Sequence, residues 1–251
     1  MLTSKAYCTI YIALFAFGTT LAQDLTLDEI LKKEQQAIGG NDVINKIQTL
    51  KITSRQLLAN GKAEILTITS IKRPGQMRSE TTMQGNTLVA ACDGSTGWTV
   101  NPLTGSSAPQ RTDDKMKAKA AGVTVDSTVA ALSNLKALGN TVELIGQDTA
   151  AAVLTYKIKV TFKNGETSTY FIDGRTFLPV RMISNLAPLG NMVCESTVSD
   201  YRNIEGLLFA HKIEGQLLGQ QTTINYEKVE INIPMDDSIF KFPAMETTIK
   251  K

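Results

Sequence analysis

The sequence predicts a mainly β protein with helices (α+β), an antiparallel meander of about eleven strands interrupted by short helical segments. Three observations predict it. Asn60-Gly61 and Asn164-Gly165 are hairpin dipeptides set between runs of strand-forming residues. Tyr156, Ile158, Val160 and Phe162 alternate with Lys157, Lys159, Thr161 and Lys163, a period of two. Helical spacing of apolar residues is confined to residues 26–47 and 111–139. No linker or composition break divides the 251 residues, so 23–251 reads as one domain.

The chain opens with Lys5, an apolar run over Cys8–Phe17, and small residues at Thr20 and Ala22. This is the pattern of a signal peptide cleaved near Ala22-Gln23, and it predicts an exported protein. A membrane anchor is the competing reading, but a spanning helix needs roughly 20 apolar residues. Next, Thr26-Leu27-Asp28-Glu29 forms a capping box. It opens a helix with a stripe of Leu27, Ile30, Leu31, Glu34 and Ile38, stopped by Gly39-Gly40. A short turn over Asp42 to Ile47 leads into the strands.

Thr49–Ala59 and Lys62–Lys72 flank Asn60-Gly61; Gln76–Met83, Thr87–Cys92 and Trp98–Asn101 follow. A loop rich in Pro, Gly and Ser runs from Pro102 to Pro109. Thr112-Asp113-Asp114 then caps a helix over Lys115 to Ala121. Asp126-Ser127 caps another, Ser127 to Leu138, with Val129, Leu132, Leu135 and Leu138 on one side. Thr141–Ile145, Val153–Lys163, Glu166–Asp173, Phe177–Asn185, Asn191–Tyr201, Leu207–Gln216 and Thr222–Ile233 resume the meander.

A two-residue turn at Asn164-Gly165 pairs Lys163 with Glu166 and therefore Ile158 with Phe171. That puts Tyr156, Ile158, Val160, Phe162 and Phe171 on one apolar face, which must be covered by a helix, a sheet or a ligand. In the first hairpin, Ile52, Ile65 and Ile71 share one face, and Leu57, Leu66 and Ile68 the other. Helices placed between strands cover an open side of a sheet, so 111–139 is read as a plug or as a movable lid.

Composition excludes more than it proposes. Lys and Arg (26) nearly balance Asp and Glu (24), without the basic stripe that nucleic acid requires. One histidine, His211, stands next to an aromatic with no nucleophile tied to it by motif. There is no phosphate loop, metal-spaced cysteine pair or nucleophile elbow. Asp113-Asp114 and Asp236-Asp237 read as caps. The sequence is therefore read as non-enzymatic, with no cofactor and no metal. Cys92 and Cys194 remain after export, either as a disulfide, which would contribute about 4–5 kcal/mol in the entropy model, or as two small buried hydrophobes.

Several elements, spread over most of the mature chain, resemble a known family. Ile71-Lys72-Arg73-Pro74-Gly75-Gln76-Met77-Arg78 is followed by Asp93-Gly94-Ser95-Thr96-Gly97-Trp98 and by Asn101-Pro102. Together these are similar to the K-R-P, D-G-x-T-x-W and N-P elements of the LolA/LolB-like periplasmic lipoprotein-sorting carriers. Phe240-Lys241-Phe242-Pro243 is similar to that family's closing strand. The resemblance implies a half-open antiparallel β-barrel with helices over its mouth. It also implies a soluble, monomeric periplasmic carrier of lipid or lipoprotein acyl chains, with inner-membrane donor and outer-membrane acceptor partners.

Under this reading Lys72, Arg73, Pro74, Asp93, Gly94, Thr96, Trp98, Asn101 and Pro102 hold the fold. Trp98, Leu132, Tyr156, Ile158, Val160, Phe162 and Phe171 are the candidates for lining the cavity or core. A periplasmic sensor or protein-binding module on the same barrel is the alternative function.

Overall fold

The computed structural model describes residues 25–243, apart from 59–60, 62, 113–122, 130, 151–152, 187–191 and 218. The expected signal peptide and the Lys115–Ala121 helix lie outside the described residues. Helices α1 (Leu27–Ala37) and α2 (Gly40–Ile44) precede strands β1 (Thr49–Leu58), β2 (Ala63–Lys72), β3 (Gln76–Met83), β4 (Asn86–Cys92), β5 (Gly97–Asn101) and β6 (Ser106–Arg111). Two short helices follow, α3 (Val125–Thr128) and α4 (Leu132–Ala137). The chain then forms β7 (Thr141–Ala150), β8 (Val153–Thr161), β9 (Thr167–Asp173), β10 (Pro179–Leu186), β11 (Met192–Ile204), β12 (Leu207–Leu217) and β13 (Gln220–Ile231).

All thirteen strands join one antiparallel sheet in the order β6-β5-β4-β3-β2-β1-β13-β12-β11-β10-β9-β8-β7. Each strand pairs with its neighbours in sequence, except that β6 and β7 part to the two edges and β13 returns to pair with β1. The edges β6 and β7 do not pair with each other among the described residues, so the sheet is open. The count exceeds the expected eleven; β6 lies where Pro and Ser suggested a loop. As an edge strand it tolerates Pro109, because only one side of it needs a ladder.

The register divides the sheet into two faces. Leu50 opposes Ile71, Ile71 opposes Met77 and Met77 opposes Cys92, so these residues share one side. Ile38, Ile44 and Ile47 from the N-terminal helical segment pack onto that side, with Val125 and Val129 from α3 and its end. A second cluster on the same side joins Ile30 and Leu31 of α1 and Leu132 and Leu135 of α4 to Val142, Tyr156, Ile158, Val160 and Ile172. The helices thus cover part of the inner face. Ile52, Ile65 and Ile71 do share it, and Leu57, Leu66 and Ile68 share the other.

Several local expectations need correction. The capping box is present, with Thr26 N donating to Glu29 Oε2 at 2.8 Å. The expected Ser127–Leu138 helix, by contrast, is divided into α3 and α4, and Leu138 is 40% exposed. The β1–β2 register is the one a two-residue turn at 60–61 gives. The same dipeptide at 164–165 makes a longer loop: Phe162 N donates to Glu166 O at 2.9 Å and Gly165 N to Phe162 O at 2.8 Å. Gly165 is left-handed (φ 85°), so Lys163-Asn164-Gly165 forms a three-residue loop.

Register consequently slips by one residue, and a slip of one moves every side chain of the partner strand to the other face. Phe171 opposes Lys157, whereas Tyr170 opposes Ile158 and Ile172 opposes Tyr156. Phe171 therefore lies on the outer face, and Ile172 takes the expected inner place, 0% exposed.

Candidate functional site

The cavity candidates fall into two groups. Leu132, Tyr156, Ile158 and Val160 are buried on the inner face beneath α1 and α4, with Phe162 packed against the same cluster. Tyr156 stacks on Phe177, with ring centroids 6.2 Å apart. Phe171 is separated from them by the register, and its ring lies 4.3 Å from the Arg181 guanidinium and 5.9 Å from Lys157 Nζ.

Trp98 is likewise an outer-face residue. It opposes Ala91, which opposes Arg78, which opposes Ser70. It is buried there by the C-terminal segment that follows β13. Trp98 Nε1 donates to Phe240 O at 2.8 Å, and Phe242 meets the indole edge-on at 6.4 Å. Arg78 donates to Ile239 O at 3.1 Å, and Lys72 Nζ donates to Met235 O and to Asp237. The aromatic ending is thus a strap with a 3-10 turn over Asp237–Ile239, not a strand. An indole on a strand reads as interior from hydropathy alone; the strap that covers it comes from the far end of the chain.

The remaining motif residues act as local fasteners. Arg73 reaches the other way from Lys72 and donates from Nε to Ile47 O at 2.8 Å, tying the end of β2 to the segment between α2 and β1. Pro74 lies in the β2–β3 turn. Asp93 Oδ1 accepts from the backbone N–H groups of Ser95 (2.9 Å) and Thr96 (2.6 Å), with Gly94 left-handed between them. Asn101 Oδ1 accepts from Leu103 N at 3.1 Å and caps the 3-10 turn that Pro102 opens. Cys92 on β4 and Cys194 on β11 are both free thiols, six strands apart in the sheet. The bridge is absent because pairing joins β4 to β3 and β5, and β11 to β10 and β12. His211 is buried, with Nδ1 3.0 Å from Phe209 O.

The inner face changes character along β1–β4. Near the helices it is sealed by Leu50, Ile52, Ile71 and Met77. Toward the opposite ends of these strands, Leu58, Ile65, Met83 and Leu88 share the same side and are only half-buried. Across the β1–β13 junction, Ile224 and Ile213 continue the row. Every charged residue of β1–β4 (Lys51, Arg55, Glu64, Lys72, Arg78 and Glu80) points to the other face. That outer face carries ion pairs such as Arg55 with Glu227 and Arg78 with Glu80. Ser54, Gln56, Thr67 and Thr81 share this side, so the half-open surface is uncharged and mixes aliphatic with small polar side chains, a lining that can take an apolar ligand with few polar contacts.

One buried ionisable group was not anticipated. Glu34 reads as part of the α1 stripe and is 0% exposed. Its carboxylate accepts from Leu132 N at 3.2 Å, supplying the first turn of α4 with the cap that Ala131 cannot. Burial pushes its pKa up to about 8, and the Leu132 hydrogen bond opposes that shift only in part. Burial, and then the nearby Glu34 charge, pushes the Tyr170 phenol up to about 12. The clue in the sequence was an acid placed in an otherwise apolar helical stripe.

Among the described residues no helix is long and apolar enough to cross a membrane, and no three His, Cys, Asp or Glu side chains converge as metal ligands would.

A family model described only as an uncharacterized protein matches residues 126–247. No curated protein matches the chain. Among solved structures, a LolA superfamily protein from Nitrosomonas europaea superposes with a TM-score of 0.55 at 15% identity, over 87% of this chain and 98% of its own. A DUF1329 family protein from Desulfovibrio piger gives 0.55 at 12%, over 85% and 96%. A domain from Vibrio parahaemolyticus named for outer membrane lipoprotein sorting gives 0.53 at 10%, over 84% and 95%. At these identities the likeness is one of fold: this chain shares a LolA-like open, helix-covered antiparallel sheet with these structures.

Proposed function

We propose that the chain is a periplasmic carrier that shields an acyl chain of a lipid or lipoprotein against the inner face of its sheet. The observation that supports this reading is the segregation of charge. In β1–β4 the inner side is uncharged and its far half, Leu58, Ile65, Met83 and Leu88, is left half-buried. Leaving four large apolar side chains half-exposed on one side of a sheet is unfavourable unless something apolar lies on them. Each methylene laid there contributes about 0.8 kcal/mol, so an acyl chain binds without catalytic or polar chemistry. The lipoprotein-sorting name of one fold neighbour agrees with this assignment. α4 covers the β7–β9 part of the same face and acts as a lid there, and donor and acceptor proteins at the two membranes would load and unload the cargo.

The test is titration with a fluorescent long-chain fatty acid. Saturable binding is expected for the native chain. Ile65→Asp and Leu88→Asp are expected to weaken it about tenfold or more, since each puts a carboxylate where methylenes should lie. Leu66→Asp, on the outer face beside Arg55, should leave affinity within about twofold. An absence of saturable binding, or equal losses from Leu66→Asp and Ile65→Asp, would overturn the assignment and favour the sensor or protein-binding alternative.

A further inference from the structure

We propose that Glu34 is a proton-operated latch that holds α4 down on the inner face of the sheet. This rests on the carrier reading, in which lifting α4 would extend the apolar inner face from β1–β4 to Tyr156, Ile158 and Val160. The contact is specific: α1 presents a fully buried carboxylate whose two oxygens lie 3.2 and 3.4 Å from Leu132 N, the first N–H of α4. The N-cap residue Ala131 makes no side-chain hydrogen bond, so without Glu34 that end of the helix has no side-chain partner. The second tie between the two helices, Lys136 Nζ to Asp28 at 2.8 Å, lies at the surface, with Asp28 83% exposed, where such pairs contribute little. Leu132 and Leu135 add the apolar contact.

The ionisable groups around Glu34 do not compensate a buried negative charge. From the sheet, Tyr170 on β9 and Tyr201 on β11 are within its electrostatic reach, and both are phenols with raised pKa values. Tyr156 on β8 belongs to the same cluster. Lys136 of α4 is engaged with Asp28, and Lys33 of α1 lies over the Phe177 ring at 5.0 Å.

The sign follows from two pKa values. With α4 down, burial holds the Glu34 carboxyl at about 8; with α4 lifted and the group hydrated, it returns toward its ordinary value of 4.5. Between those values the closed form keeps a proton that the open form releases. Closure is therefore favoured fully in acid. It weakens as pH rises from 4.5 to about 8, and stays at its weakest above that.

Hydrogen exchange of the full chain, corrected for intrinsic rates, tests this at the amides of residues 132–138 between about pH 5 and about pH 9. Their protection is expected to fall about tenfold or more across the range, while β1 and β2 amides stay protected. Glu34→Gln keeps the acceptor for Leu132 N and cannot ionise, so its profile should be flat. A flat native profile, or an equal fall in Glu34→Gln, overturns the latch. Should Glu34→Gln fail to fold, the native profile decides alone: flat overturns the latch, and a fall confined to 132–138 supports it. Fatty-acid titration at the same pH values separates the two ideas. A native exchange profile that falls as expected with no fatty-acid binding at any pH retains the latch and removes the carrier reading.

Discussion

Trp98→Ala is expected to lower stability by about 3–5 kcal/mol, the range for removing a large buried aromatic. It should do so without weakening fatty-acid binding per folded molecule. Trp98 is 1% exposed and anchors the C-terminal strap through Phe240 O, Phe242 and the Arg78 guanidinium 5.4 Å from its ring. Its removal leaves Phe240, itself fully buried, without the surface it packs on. Urea denaturation supplies the stability and fatty-acid titration below the transition supplies the affinity. A variant that stays stable but loses affinity would show that the indole faces the ligand. Trp98→Phe should recover most of the packing while leaving Phe240 O without its indole donor, a loss of about 1–2 kcal/mol.

Val160→Asp is the more damaging change, at more than about 4 kcal/mol. Val160 is 0% exposed beneath α1 and α4, opposite the uncharged Val142 and Ser168, so a carboxylate there is buried against no cross-strand cation. Phe171→Asp is expected to cost less than half as much. The new carboxylate would lie between Arg181 and Lys157, so ion pairing offsets part of the lost aromatic burial. Thermal or urea unfolding of the two variants reads out the register of β8 against β9. Equal, large losses would mean that both residues share the inner face and that the 162–166 loop has been assigned wrongly. A related, smaller effect belongs to the loop: Gly165→Val should cost about 1 kcal/mol, because position 165 is left-handed (φ 85°).

Much of the architecture was legible because it depends on short-range patterning. Period-two alternation marked β8, the Thr26–Glu29 box marked the start of α1, and paired turn residues separated the strands into an antiparallel series. The family resemblance named the open barrel, and within it Lys72, Arg73, Asp93 and Asn101 make hydrogen bonds to neighbouring segments or turns. The candidate site was legible only in part. Ile158 and Val160 were placed on the covered face because alternation within one strand carries that information. The face of Phe171 is not legible in the sequence, because it depends on whether the Asn164-Gly165 turn has two or three loop residues. Both loops suit the dipeptide, and burial of Ile172 with Tyr170 selects the longer one.

Local chain chemistry, then, determined where strands and helices begin and that they form one antiparallel meander, since each such preference is settled within a few residues. Contacts between distant segments decided which side of that meander does the work. Trp98 became an outer-face residue because Phe240, 142 positions along the chain, supplies its hydrogen-bond acceptor and cover. Glu34 became a cap, not one more residue in a stripe, because Leu132 N, 98 positions away, comes to rest on it. A buried side chain's role depends on what covers it, and in an open sheet of thirteen strands the cover arrives from elsewhere in the chain.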